Sequence, residues 1–434
     1  MVTAVVLFTR DLRVHDHPAL AAACANAERV APLFVFDPAL TGRSANRDRF
    51  LHQSVADLRT TLRARGGDLV VRNGDPVTET IALARSIGAT MVGLAADVSA
   101  YARRRERRLA AECERHRLAL RLFPGVTVVD PGLPRPEYRV FTPYHRAWQA
   151  AARRAEVAAP PQVTLPDGLA VGRLPAISRG DSPDAVDGGE TTARRRLTDW
   201  LRRLDPYDES HDDLAADATS RLSPYLRFGC LSPLEVANAA RDHPAFVRQL
   251  CWRDFFYQAA LAFPKISTEA VRAGGDADWR DDPEALGHWQ AGLTGVPVVD
   301  AGMRQLRAEG WMHNRARLIT AAFLTKHLGL DWRHGARWFF RWLLDGDVPN
   351  NSGNWQWVAG TGHDTRPYRR FNPIRQAQRF DPEGVYVRRY LPELKGVEGG
   401  AVHQPWRLPA AVRRGLDYPG PLESHRDAAV WLRP

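Results

Sequence analysis

The sequence predicts two domains of different class: a doubly wound α/β domain with a parallel sheet at the N-terminus, then an all-α domain at the C-terminus. Three observations carry this expectation. Short, continuous apolar runs alternate with helical patterns in the first part of the chain. After Thr192 the hydrophobic period is helical nearly to the end, with no strand alternation of comparable strength. At 434 residues the chain is also too long for one ordinary core.

In chain order, the apolar runs at residues 5–10 (VVLFTR), 30–37 (VAPLFVFD), 68–72 (DLVVR) and 90–96 (TMVGLAA) predict four strands. Helical patterns at 48–65, 76–87 and 100–116 lie between and after them. Open parallel sheets bind ligands beyond the carboxyl ends of their strands, where Arg10-Asp11, Asp37-Pro38 and Asp97 fall. No GxGxxG follows the first strand, so a nicotinamide-type dinucleotide fingerprint is absent. Residues 129–190 are broken by Pro160-Pro161, Pro166, Gly168, Pro175, Gly180, Pro183 and Gly188-Gly189. They are expected to form an extended connection, with a short helix near 144–154. The domains are therefore placed at 1–128 and 191–434, joined by a linker at 129–190. Runs such as TTARRRLTDWLRRL and AFVRQLCWRDFFYQAALAF supply the helices of the second domain.

Hydrophobic content of 44% and charged content of 25% fit a soluble globular enzyme. No segment is apolar enough to span a bilayer. At the start, the charges of Arg10, Asp11 and Arg13 follow the apolar run instead of preceding it, so a first strand and a cytoplasmic protein are expected, not a signal peptide. Four scattered cysteines with no CxxC spacing argue against a disulfide framework or a zinc site; no metal is expected. The net charge of +10 is carried almost entirely by Arg. Arg forks match phosphate oxygens, which suits nucleic acid, while a solvated Arg-rich surface fits the same charge.

Four segments carry chemistry. The run 345–357, DGDVPNNSGNWQW, joins two carboxylates, an Asn pair and two tryptophans in a chain with 13 Trp. That mixture suits a site that holds a large aromatic cofactor, neutralises its charge and admits a second aromatic ligand. The run 219–233, TSRLSPYLRFGCLSP, places hydroxyls and an Arg before an apolar helix, with Ser223-Pro224 as expected cap and first turn. A plain capped helix and a phosphate site both fit it. CWRDFFYQ (251–258) is an aromatic stripe that is either core or a platform for a ring. GWMHNRARLIT (310–320) sets Asn314 and Arg317 on one helical face, with His313 read as either a satisfied side chain or a functional one.

With FTRDLR, GVPVVDAGMRQLRAEGWMHNRARLI and the closing PYRRFNPIRQAQRFDPEGVYVRRYLPEL, these segments resemble the photolyase/cryptochrome flavoproteins over nearly the whole chain, most closely a class I cyclobutane pyrimidine dimer (CPD) DNA photolyase. The resemblance implies a U-shaped FAD in the helical domain, an antenna chromophore in the α/β domain, and light-driven repair of UV-damaged DNA. By the same resemblance, FAD contacts fall on Tyr207, Thr219, Ser220, Arg221, Leu222, Ser223, Phe246, Arg253, Asn314, Arg317, Asp345, Gly346, Asp347 and Asn351. Arg317 and Asp345 match an ion pair beside the flavin ring, and Asn351 matches the residue facing flavin N5. Trp355, Trp332 and Trp279 match an electron-transfer chain that serves photoreduction of oxidised FAD. The resemblance assigns DNA contacts to Gln249, Trp252, Arg253, Asn314, Trp357 and Gln376, with Trp252 and Trp357 flanking a flipped dimer.

Two departures stand out. Gln249 replaces a Glu common in CPD enzymes, keeping a hydrogen-bonding group and losing the acid. Leu318 replaces a Met of similar volume. The stretch DVSAYARRR from Asp97 resembles deazaflavin-binding relatives, which favours 8-hydroxy-5-deazaflavin over methenyltetrahydrofolate as antenna; folate or no antenna stay open. The expected partner is UV-damaged DNA with pyrimidine dimers, bound by a monomer with no obligate protein partner and no membrane, nucleoid-associated when on DNA. The rival readings are a cryptochrome-type blue-light photoreceptor, disfavoured by Asn351 and by an expected absence of a long tail after Arg433-Pro434, and a (6-4) photolyase, supported by Gln249 alone. A generic flavin oxidoreductase is disfavoured because the nicotinamide fingerprint is missing.

Overall fold

Apolar side chains on both faces make the first strands unsuited to a solvated sheet and drive them into the middle of a layered domain. In the computed structural model, which describes residues 2–132, 137–205, 207–276, 279–363 and 370–422, these strands form a five-stranded parallel sheet. Its elements run β1 (Thr3–Phe8), α1 (Pro18–Asn26), β2 (Arg29–Phe36), α2 (Ala45–Arg63), β3 (Val70–Asn73), α3 (Pro76–Ser86), β4 (Met91–Ala95), α4 (Ala100–Arg115) and β5 (Ala119–Phe123). The order is β3-β2-β1-β4-β5, so the chain reverses its direction of travel across the sheet between β1 and β4. In register, Val5 lies beside Ala31 of β2 and Val92 of β4, and all six residues of β1 are buried.

Ser44, Asp75 and Ser99 cap α2, α3 and α4 by accepting a backbone N–H in the first turn. The four expected strands and three expected helices form, with ends shifted by a few residues. Two elements lay outside the sequence reading. β5 (ALRLF) is an edge strand, partly exposed along its length, so it lacks the fully apolar signature. α1 (PALAAACAN) has no polar face and therefore no amphipathic period.

The remaining helices are α5 (Phe141–Ala150), α6 (Glu190–Leu201), α7 (Tyr207–Ser210), α8 (Ser223–Phe228), α9 (Pro233–Ala239), α10 (Pro244–Ala262), α11 (Pro283–Ala291), α12 (Pro297–Glu309), α13 (Asn314–Ala322), α14 (Trp332–Trp342), α15 (Val348–Ala359), α16 (Pro373–Phe380), α17 (Val385–Tyr390) and α18 (Ala410–Arg413). Residues 152–189 form no helix or strand. Part of that stretch is nevertheless fastened by backbone bonds, Val30 N–H to Thr164 O at 2.8 Å and Val71 N–H to Val171 O at 2.8 Å.

The chain divides into two compact units. The first comprises 1–180, 186–205 and 220–265; the second comprises 181–185, 206–219 and 266–434. The sheet core of the first unit includes Val5, Leu7, Leu33, Val70, Val92 and Leu94. The core of the second is aromatic, with Trp289, Phe323, Trp332, Phe339 and Trp355 all buried.

Candidate functional site

In the second unit the chemistry gathers on three helices. Gly310 ends α12 in the left-handed conformation at φ 60°, and His313 then caps α13. His313 Nδ1 accepts from Arg315 N–H at 3.1 Å, which leaves the ring proton on Nε2. Burial pushes the His313 pKa down to about 4, so the imidazole is neutral at physiological pH. Nε2 is buried and has no hydrogen-bond partner. One turn on, the Arg317 guanidinium forks onto Asp345, Nη1 to Oδ1 at 3.1 Å and Nη2 to Oδ2 at 2.8 Å, and its Nε donates to Met312 O at 2.8 Å. The expected Arg317–Asp345 pair is therefore formed within the polypeptide.

Two residues past Asp345, Asp347 caps α15, accepting from Asn350 N–H at 2.7 Å. Asn351 in the first turn donates its side-chain N–H to Ala336 O of α14 at 2.9 Å. A carbonyl only accepts, so the amide orientation follows: NH₂ toward α14, oxygen away from it. One turn further, Trp355 is 2% exposed, 4.9 Å from the Phe339 ring centroid and 6.1 Å from that of Trp289. Trp332 opens α14, fully buried, behind its cap Asp331. Trp279 is half-buried, and its neighbour Arg280 bridges to Leu330, two residues before Trp332. The Nε1 atoms of Trp279, Trp332 and Trp355 are buried without hydrogen-bond partners, whereas Trp289 Nε1 donates to Thr320 O at 3.0 Å.

Asn314 begins α13 and is exposed, and Trp357 is half-buried on α15. Gln376 lies on α16 with Oε1 buried and without a partner. Tyr207 is buried and stacks on His211 at 5.0 Å. Thr219 Oγ1 is buried with no hydrogen-bond partner, a hydroxyl held ready for an acceptor the polypeptide does not supply. Of the closing motif quoted above, Pro367, Tyr368 and Arg369 lie outside the described residues.

The first unit holds Ser220, Arg221, Leu222 and Ser223. Arg221 adopts φ 51°, rare for a side chain of its size, and Ser220 Oγ accepts from Leu222 N–H at 3.3 Å. The helix start differs from the expectation: Leu222, not Ser223, occupies the cap of α8, and a Leu side chain offers no acceptor. On α10, Phe246 is buried and packs on Trp200 at 5.8 Å, while Gln249 is exposed. Trp252 stacks flat on Phe141 of α5, centroids 3.5 Å apart and planes within 2°. Arg248 lies over the same Phe141 ring at 4.9 Å. Arg253 directs its guanidinium inward, to Val126 O at 2.6 Å and Tyr257 Oη at 3.0 Å.

A second cluster sits at the carboxyl ends of the strands. Arg10, just past β1, pairs with Asp97, just past β4, at 3.2 Å, at the place where the strand order reverses. Burial pushes the Asp97 carboxyl up, but Arg10 and the N–H groups of Ser99 and Val98 outweigh that and hold it below its ordinary value. The Tyr101 hydroxyl donates to Asp37, and Arg105 turns toward these carboxylates with its Nε buried and unpartnered. Asp11 instead pairs with His17 at 2.9 Å, inside the unit. Sequence reasoning missed Phe141, Phe339, Trp289 and Tyr257. Phe141, Phe339 and Trp289 read as ordinary core aromatics until a partner ring is placed beside them, and Tyr257 until Arg253 is placed over its ring.

Comparison with known proteins agrees with this chemistry. Residues 4–164 match the family described as DNA photolyase, and residues 246–431 match the FAD binding domain of DNA photolyase. The chain is 48% identical to the deoxyribodipyrimidine photo-lyase of Streptomyces griseus, covering 97% of this chain and 96% of that protein. It is 39% identical to a cryptochrome DASH of Natronomonas pharaonis, over 97% of this chain and 98% of the relative. Among solved structures, a class III photolyase from Agrobacterium tumefaciens superposes with a TM-score of 0.92 at 34% identity, covering 97% of this chain and 94% of that one. An FAD-type domain with orphaned Thr219, the forked Arg317–Asp345 pair and an oriented Asn351 amide, preceded by a parallel α/β domain, places this chain in the photolyase/cryptochrome family.

Proposed function

We propose that the chain is a deoxyribodipyrimidine photolyase that splits cyclobutane pyrimidine dimers in UV-damaged DNA under blue or near-UV light. The observation that carries the reading is the α13–α15 cluster, with Arg317 locked to Asp345, the Asn351 amide fixed on α14 and Trp355 buried one turn beyond. The residues present suit FAD. Thr219 offers an unused buried hydroxyl, Arg317 offers fixed positive charge, and Asn351 offers an amide oxygen that accepts a hydrogen bond without titrating. Tyr207, Ser220, Arg221, Leu222, Ser223, Phe246, Asn314, Gly346 and Asp347 complete the proposed flavin set. Bound and fully reduced, FAD supplies a light-driven one-electron donor. The chain's own residues hold the cofactor, exclude water from it and present the lesion.

The lesion is poorly stacked in its duplex, so extruding it costs less than extruding a normal pair. Trp252, its ring already held flat by Phe141, and Trp357 are the proposed stacking surfaces. Exposed Gln249 offers a donor and an acceptor to a base edge without an acid. Asn314 and Gln376 are the proposed DNA contacts, and the Arg excess provides the phosphate affinity, whereas the inward-turned Arg253 is held by Val126 O and Tyr257. 8-Hydroxy-5-deazaflavin is the proposed antenna, on the resemblance of the stretch from Asp97, with the Arg10–Asp97–Arg105 cluster at the strand ends as its proposed site. The functional division proposed is an antenna domain at 1–128, a linker at 129–190 and an FAD and DNA domain at 191–434, in a cytoplasmic monomer. No helix among the described residues is long and apolar enough to cross a membrane.

A cryptochrome photoreceptor is the second reading, favoured by the 39% identity to a cryptochrome DASH. The substrate part of the proposal is tested by Trp252→Ala. Loss of one stacking platform weakens dimer-containing DNA by about 5- to 150-fold, with undamaged DNA changed little. Equal loss for both DNAs refutes the stacking role.

A further inference from the structure

Glycine inside a helix is destabilising relative to alanine, so Gly335, three residues into α14 after Trp332, calls for a local reason. A Cβ built at Gly335 lies 2.1 Å from Trp355 Cη2 and 2.5 Å from its Cζ3, with Leu324 Cδ2 at 2.7 Å. The six-membered end of the Trp355 indole therefore rests directly on the backbone of α14. The next residue, Ala336, provides the carbonyl that receives the Asn351 amide at 2.9 Å. Asn351 and Trp355 are four apart on α15 and share one face of it. Trp332 is three residues before Gly335, on the same face of α14. One bare step of α14 backbone, Gly335–Ala336, thus seats both Asn351 and Trp355 beside the helix that carries Trp332.

We propose that Gly335 is a positioning residue for electron entry. Its missing side chain lets Trp355 approach α14 closely enough to hand an electron inward and take its replacement from Trp332. The inference rests on the proposed electron path. In that path Trp355 would pass one electron to bound oxidised FAD in the light, Trp332 would refill Trp355, Trp279 would refill Trp332, and a thiol in solution would refill Trp279 and end as its disulfide. Repair by pre-reduced enzyme does not use this path, so the two activities separate.

The test compares wild type, Gly335→Ala, Trp355→Phe and the double variant, each loaded with FAD. Four readouts are taken: flavin photoreduction with added thiol, repair by chemically pre-reduced enzyme, Tm, and the near-UV circular dichroism of the apoprotein. Gly335→Ala is expected to slow photoreduction by at least about tenfold, in keeping with the cost of small misplacements. Pre-reduced repair falls less than photoreduction, because Asn351 is held by the Ala336 carbonyl and the added Cβ meets Trp355 and Leu324 instead. Tm falls and the aromatic dichroism changes. In the double variant the shorter Phe ring makes room for the Cβ, so Tm recovers while photoreduction stays blocked.

Wild-type photoreduction in Gly335→Ala, with Trp355→Phe blocked, overturns the positioning role alone. A parallel fall of photoreduction, pre-reduced repair and Tm, with no recovery in the double variant, shows a structural glycine and also overturns it. Wild-type photoreduction in Trp355→Phe removes the electron path itself, and the role of Gly335 with it.

Discussion

Asp254 shows how one residue on α10 ties together the packing around Trp252. Its Oδ2 accepts from Val128 N–H at 2.9 Å, Val129 N–H at 3.1 Å and Trp148 Nε1–H at 2.9 Å, while Oδ1 is buried without a hydrogen-bond partner. Trp148 lies on α5, the helix that also carries Phe141, so the carboxylate holds the platform on which Trp252 rests. Burial pushes the Asp254 pKa up to about 6, against the pull of nearby Arg253 and the three N–H donors. The other titratable groups of this pocket are Tyr144 and Cys251, whose hydroxyl and thiol are also pushed up by burial. A raised carboxyl pKa means that the native state binds the proton more tightly than the unfolded chain. Asp254 therefore lowers stability progressively as pH rises from about 4 to about 6, and its full cost is present above that.

Asp254→Asn keeps an acceptor for the three donors and puts an NH₂ where Oδ1 was. Its stability relative to wild type should rise by about 3 kcal/mol between pH 4 and pH 7 and then level off. Asp254→Ala removes the titration too but leaves three donors unpaired, so at pH 4, where wild type does not yet carry the cost of its charge, it should be less stable than wild type by about 3 kcal/mol or more. Denaturant unfolding at several pH values decides; a flat difference between Asn variant and wild type contradicts the raised pKa.

At the scale of elements, the short helix α8 is fixed less by its cap than by its end. Gly229 closes it in the left-handed conformation at φ 68°, and a Cβ there would lie 1.9 Å from Arg10 O. Phe228 O accepts from Leu12 N–H at 3.2 Å and Gly229 O from Arg13 Nη1 at 3.0 Å, so this end of α8 is sewn to the segment after β1. Gly229→Ala should therefore cost about 1–3 kcal/mol or more, visible in Tm; a Tm equal to wild type would show that the approach relaxes freely. Elements of this kind explain what the sequence could and could not reveal. β1, β2, β3 and β4 were legible because burial on both faces leaves unbroken apolar runs. β5 was not, because an edge strand keeps Arg121 and Leu122 exposed. Motif residues such as Arg317, Asp345 and Asn351 were legible as a set, since polar groups among tryptophans have no packing explanation. Phe141 beneath Trp252, and Gly335 beneath Trp355, were not: each gains meaning only from a partner far away in sequence. The cap of α8 moved by one residue because Pro224 is tolerated anywhere in the first turn.

For the whole molecule, one chain builds a unit around a parallel sheet and a unit with an aromatic core. The sheet brings Arg10, Asp37 and Asp97 to the carboxyl ends of its strands, and the helices α13, α14 and α15 bring Arg317, Asp345, Asn351 and Trp355 into one cluster. In the proposed repair of cyclobutane dimers, Gln249 suffices in place of an acid. The most direct measurement uses protein loaded with reduced FAD and two defined oligonucleotides, one with a thymine cyclobutane dimer and one with a (6-4) product, each in the light and in the dark. Loss of the cyclobutane dimer in the light only is expected, with the (6-4) product untouched. Repair of the (6-4) product alone would contradict the substrate assignment. Repair of neither, with a flavin spectrum that still responds to light, would favour the photoreceptor reading instead.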